Sequence, residues 1–192
     1  VEDQDHYPVA GVDIIFENKT SFGKLETPSP AKTDEYGQAK VYFRVDTLTN
    51  KTSRIEAKNE GLAGWPVTIF ASSTSGPARR MVKEISSDNQ EGWIGGATPN
   101  PLVVYITDQY ANPVGGKLVK FDVIQGDAKV QGGTSATAPS NSLGIVSVPV
   151  TLGNQTGIIK IQATTSDPPL EGSPLLFTLT AKTADNTLTI SK

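Results

Sequence analysis

The chain has 192 residues, and 17 Lys and Arg against 20 Asp and Glu give it a net charge of −3. Both signs are mixed along the chain, which excludes the basic footprint of a nucleic-acid binder, and the absence of cysteine excludes disulfides and thiolate metal sites. No apolar run approaches the roughly 20 residues of a membrane helix and no signal peptide opens the sequence, so membrane contact is expected only through parts outside these residues.

Abundant Gly, Pro, Ser and Thr without a helical period predict an all-β chain. It opens on Asp3-Gln4-Asp5-His6-Tyr7-Pro8-Val9-Ala10-Gly11, a turn, followed by a strand at 13–17 with Ile14 and Phe16 on one face. Thr33, Asp34 and Gly37 mark a second turn, in which an Asp side chain caps the backbone two residues on. Ala39, Val41, Phe43 and Val45 then alternate with Lys40, Tyr42 and Arg44, the period of a half-buried antiparallel strand. Arg54 to Ala57 alternates again, and Pro66 to Phe70 is a further strand. Ser72 to Pro77 is small and polar, the composition of a linker.

Beyond the linker, a strand at 80–86 is expected with Met81 and Ile85 inward, then a Gly-, Asn- and Pro-rich loop at 88–101 holding Trp93, then an apolar strand at 102–106. Asp108-Gln109-Tyr110-Ala111-Asn112-Pro113-Val114-Gly115-Gly116 repeats the opening turn: Asp3, Gln4, Pro8, Val9, Gly11 and Phe16 each have an identical residue 105 positions later, ending at Phe121. Val130 belongs to a short edge strand, and Ser140, Asn141 and Gly144 replay the turn of Thr33, Asp34 and Gly37. Val146, Val148 and Val150 face inward with Pro149 outward, which marks an edge strand. Ile159, Ile161 and Ala163 match Ser53, Ile55 and Ala57, and Pro174 to Phe177 matches Pro66 to Ile69.

A period of this size means tandem copies of one domain. The expected units are 1–74, a partial domain; 78–182, a complete one; and 183–192, a tail resembling the first strand of a further repeat. About seven short strands per copy with regular turn signals make each an immunoglobulin-like β-sandwich. Val1 aligns with Ile106, so residues 79–105 have no counterpart ahead of Val1 in this sequence. The first copy is therefore expected to lack its N-terminal strands. Either the sequence is a piece of a longer repeat protein, or another chain completes the copy by strand complementation, with Thr187, Leu188, Thr189 and Ile190 as a candidate donor strand. Repeated head to tail, that contact gives a filament.

Thr107-Asp108, Asn112-Pro113-Val114 with Gly116, Phe121 with Val123, and Leu152-Gly153 in the second copy, with Thr33-Asp34, Gly37 and Ala39 in the first, resemble the bacterial immunoglobulin-like domains of the invasin and intimin group. The resemblance covers nearly the whole chain. It implies a structural protein, extracellular or at the cell surface, whose partners are proteins: copies of itself or a chain supplying strands. Such domains form the stalks of surface adhesins. The cysteine-bearing lectin-like tip of that group has no match here, so receptor binding is not carried over.

The candidate sites are few. His6 stands in a turn where the second copy has Ala111, so it reads as a loop residue, and one His without Cys builds no zinc site. Asp3, Asp5, Asp34 and Glu35 read as turn caps, because no loop has calcium-site spacing. Trp93, among Gly92, Gly95 and Gly96, and Trp65, before Pro66, either pack on the sandwich or stack on a carbohydrate ligand. Asn18, Asn50 and Asn154 begin glycosylation sequons. No acid–base constellation, metal set or cofactor motif is found, so no catalysis is expected.

Overall fold

The computed structural model describes residues 1–166 and 168–183. Their regular secondary structure is almost wholly strand: β1 (Asp13–Asn18), β2 (Lys24–Leu25), β3 (Ala31–Lys32), β4 (Phe43–Arg44), β5 (Thr52–Lys58), β6 (Val67–Ser72), β7 (Arg80–Lys83), β8 (Gln90–Trp93), β9 (Leu102–Thr107), β10 (Leu118–Gln125), β11 (Ala128–Val130), β12 (Ser135–Pro139), β13 (Ile145–Val148), β14 (Val150–Leu152), β15 (Gly157–Thr164) and β16 (Leu175–Lys182). One 3-10 turn, Ile85–Ser87, is the sole helical element among the described residues. The chain divides into two compact units, Val1–Ser75 and Gly76–Lys192.

In the second unit one sheet has the order β12-β10-β15-β16-β8 and the other β13-β9-β7, with β14-β11 alongside. Both sheets contribute to one core: Val119, Phe121, Ile159, Ile161, Phe177 and Leu179 from the first, Met81, Leu102, Val104, Ile106, Val146 and Val148 from the second. Period-two alternation produces this, since every second residue of β9, and of β15 from Ile159 on, is buried. Pro149 separates β13 from β14 because it has no N–H for a ladder; β13 pairs with β9, and β14 pairs with β11 instead.

Three expectations for this unit need correction. The first strand ends at Lys83, and Ile85 is 85% exposed in the 3-10 turn rather than inward. Glu84 and Ser87 turn the chain there: the Glu84 carboxylate accepts from Tyr105 Oη at 2.7 Å, and Ser87 Oγ donates to the Glu84 carbonyl. The stretch 88–101 is not all loop, because β8 adds a parallel strand to the edge of β16. A Cβ at Gly92 would come within 2.7 Å of Leu152 Cδ1, so a larger residue there requires the Leu152 side chain to shift.

The first unit repeats the first of those sheets as β3-β1-β5-β6. Its opposite layer among the described residues is only the short pair β2-β4. Ile14, Phe16, Ile55 and Ala57 are its buried core. The inward parity of Ala39, Val41 and Phe43 holds, with all three packed against that core, but only partly buried; Val45 is exposed. Residues 38–42 form no strand, whereas the matching 145–148 is β13.

Candidate functional site

The repeated turn is built identically, atom for atom, in the two units. Asp3 Oδ1 accepts from the N–H of Asp5 and Tyr7, and Asp108 Oδ1 from the N–H of Tyr110 and Asn112. His6 and Ala111, at φ 64° and 65°, take the left-handed position that these caps create. Thr33 Oγ1 donates to the Val9 carbonyl and accepts from the Val12 N–H; Ser140 Oγ does the same with Val114 and Lys117. Asp34 accepts from Tyr36 and Gln38, as Asn141 does from Leu143 and Ile145.

These side chains are occupied in shaping turns. Asp108 adds the Gly76 N–H and the Asn112 side-chain amide on Oδ2. Burial pushes its pKa up, but these donors outweigh it and hold the carboxyl below its ordinary value. His6 is exposed, and its ring lies 3.3 Å from the Glu2 carboxylate. Among the described residues no group of three acidic or His side chains could hold a metal ion. Asn18 donates its side-chain amide to the carbonyls of Phe22 and Gly23, so that sequon's nitrogen is engaged in its own loop.

The two tryptophans differ. Trp93 ends β8 and is 56% exposed, so the expectation that it packs over the sandwich end is not met. It stands beside the Glu91–Lys182 ion pair, between shallow hollows lined by Glu91, Gly92 and Lys182 on one hand and Thr156 and Thr183 on the other. Trp65 instead packs against the first unit's core. The candidate donor strand, Thr187 to Ile190, lies outside the described residues.

Trp65 also lines the most distinctive feature of the first unit, an open apolar groove of about 200 Å³ over Ile14, Phe16, Ala57 and Ile69. Ile69 is 44% exposed, while Phe177, its counterpart in the second unit, is 0% exposed. The difference has a simple origin. In the second unit β9 and β8 occupy the two places that border this region, next to β13 and β16. In the first unit residues 38–41 and the outer edge of β6 pair with no described strand.

No protein-family model matches the chain, and no curated protein matches it. Solved structures do. InvD of Yersinia pseudotuberculosis aligns over 100% of this chain and 53% of its own, at 17% identity and TM-score 0.56. FdeC, an Escherichia coli adhesin, aligns over 92% of this chain and 56% of its own, at 15% identity and TM-score 0.53. The D0-D1 domain of intimin covers 94% of this chain and 83% of its own, at 15% identity and TM-score 0.35. The chain spans about half the length of InvD and FdeC. Among the described residues no helix is long and apolar enough to cross a membrane. Together with the doubly built turn, the likeness to the InvD and FdeC structures gives the chain a bacterial immunoglobulin-like β-sandwich fold.

Proposed function

We propose that this chain is a structural element of an extracellular or cell-surface protein, a spacer of tandem immunoglobulin-like domains at 1–74 and 78–182, without catalytic activity. The observation that carries this reading is where the polar chemistry goes. Asp3, Thr33 and Asp34, and their counterparts Asp108, Ser140 and Asn141, direct their oxygens at their own backbone turns. Side chains so used shape a fold rather than a substrate site. The fold of the adhesin FdeC supports a surface location. The protein partners are copies of the chain, or a polypeptide that adds strands to the first unit, and the uncovered β6 edge supports this part of the reading. Antibody raised against the chain should label intact, unpermeabilised source cells. Labelling only after permeabilisation would refute the surface location.

One observation favours a second reading. An exposed indole beside a charged pair, as at Trp93, suits the apolar face of a sugar ring. Immobilised polysaccharides should then retain the chain, and Trp93→Ala should abolish retention. No retention of the native chain would leave the spacer reading alone.

A further inference from the structure

We propose that Asn154 is an N-glycosylation site and that the glycan it carries lies over the exposed indole of Trp93. The inference rests on the extracellular location proposed above. It takes up the sugar chemistry of Trp93 and gives it another source, the chain's own glycan instead of an external polysaccharide.

The three sequons differ in what their side chains already do. The Asn18 amide donates to the Phe22 and Gly23 carbonyls, and its oxygen accepts from the N–H and the hydroxyl of Thr20. A sugar on that nitrogen would break the loop. Asn50 is exposed, but the Thr52 hydroxyl, the sequon's other recognition element, stands 3.0 Å from Ser72 Oγ. Asn154 is held by its backbone alone. Its N–H donates to Asp127 Oδ2 at 2.7 Å, and the Gly153 N–H donates to the Asp127 carbonyl at 2.8 Å. Asn154 and Thr156 are both exposed, and their side chains make no hydrogen bond among the described residues. The turn is fixed and the acceptor amide is free.

The fold sets this sequon beside Trp93. Gly157 is the register partner of Ala181, so Thr156 stands level with Lys182, and Lys182 is the partner of Trp93. Two strand spacings, about 10 Å, therefore lie between Thr156 and Trp93. The loop after Trp93 returns to the same turn, where the Gly95 N–H donates to the Gly153 carbonyl at 2.8 Å. Trp93, Thr156, Lys182 and Thr183 line one open hollow of about 500 Å³. That volume is in the roughly 300–1,000 Å³ range of small-molecule sites. A pyranose has an apolar C–H face and a rim of hydroxyls. The indole offers a flat apolar surface to the face, and Lys182 and Thr183 offer polar partners to the rim. A sugar tethered at Asn154 is presented to the indole at high effective concentration, so one stacking contact suffices to hold it.

The donor is an oligosaccharide carried on a lipid pyrophosphate, and a membrane-bound transferase of the source cell supplies the base. Asn154 Nδ2 attacks the anomeric carbon. The N–C bond forms as the C–O bond to pyrophosphate breaks, the electron pair leaves on the pyrophosphate oxygen, and Nδ2 gives one proton to the base. Nothing is oxidised or reduced.

The test is glycopeptide mass spectrometry on the full chain recovered from its source cells. The peptide bearing Asn154 should carry sugar mass and the peptide bearing Asn18 none. Asn154→Gln and Thr156→Ala should each abolish it, the second while keeping the acceptor amide. Sugar retained in Thr156→Ala, or sugar on Asn18 in place of Asn154, would overturn the assignment. Hydroxyl-radical footprinting then reads the indole. Trp93 should oxidise about fivefold more slowly in the native chain than in Asn154→Gln, the ratio one aromatic stacking contact gives, with Trp65 as the internal reference. Equal oxidation would overturn the contact. Retention of the glycan-bearing chain on immobilised polysaccharide would assign the indole to an external sugar and overturn it too. A bare Asn154 overturns the site in every case, and antibody labelling separates the causes. A bare chain at the surface removes this inference alone; a bare chain inside the cell removes the surface location with it.

Discussion

Replacing Phe121 with Ala should open the second unit's core in a way its neighbours cannot repair. Phe121 is fully buried on β10, and its cross-strand partners are Ala136 on β12 and Ala163 on β15. Alanines have no side chain to swing into a vacated volume. The ring also faces that of Phe177 at a centroid distance of 6.4 Å, a tilted pair that would be lost with it. Core Phe→Ala changes cost about 3–5 kcal/mol, and an aromatic pair adds roughly 0.5–1.5, so this one belongs near the top, at about 4–5 kcal/mol. Amide exchange at β15, the central strand beside β10, reads the opening free energy of the unit directly. At about 1.4 kcal/mol per decade, the variant should exchange about a thousandfold faster there. An acceleration below about tenfold would refute the claim that Ala136 and Ala163 leave the cavity unfilled.

Phe43→Ala should cost only about 1–2 kcal/mol in the first unit, as measured by urea unfolding, because that ring is half-buried and borders an open face. Gly144→Ala should cost about 2–3 kcal/mol by the same assay: Gly144 has φ 70°, and a Cβ would sit 2.4 Å from the Ile106 carbonyl oxygen. Asp108→Ala should cost about 2–3 kcal/mol, since the Gly76, Tyr110 and Asn112 donors lose their acceptor. The folded pKa of Asp108 is depressed, so its contribution is complete above the ordinary carboxylate value and disappears as pH falls through the lower folded value. Thermal unfolding should show the native second unit weakening below about pH 4, with a flatter acid limb for Asp108→Ala.

The turn chemistry was legible in the sequence because its causes are local. Asp3 and Asp108 cap residues two and four positions on, so the spacing alone identifies the role. β8 was not legible, because nothing in Gln90-Glu91-Gly92-Trp93 alternates. Its position comes from distant partners: the Gln90 side chain bonds the carbonyls of Ser87 and Asn100 and the Asn100 N–H, and the backbone lies parallel to β16. Ile85 was misplaced for a related reason. Its strand-like parity with Met81 is cut off by the bond between Glu84 and Tyr105, which are 21 residues apart. The exposure of Trp93 likewise had no local signal, since an indole at a strand end reads the same whether covered or bare.

The two copies of one strand show where sequence pattern stops being sufficient. Residues 39, 41 and 43 alternate as cleanly as 146, 148 and 150, and both stretches follow the same capped turn. Yet 145–148 is a strand and 38–42 is not. Their local propensities are comparable, so the difference lies in the neighbour: β9 supplies the second half of the ladder to one copy only. A β-strand is a property of a pair, and a period-two pattern specifies which face will be buried when a partner arrives, not that it has arrived. The partly buried Ala39, Val41 and Phe43 are that specification without its partner. The same argument explains why Ile69 is exposed where Phe177 is not, although both sit at matching, inward-facing positions beside β5 and β15. No described strand stands beyond β6 or beside residues 38–41, where β8 and β9 stand in the second unit.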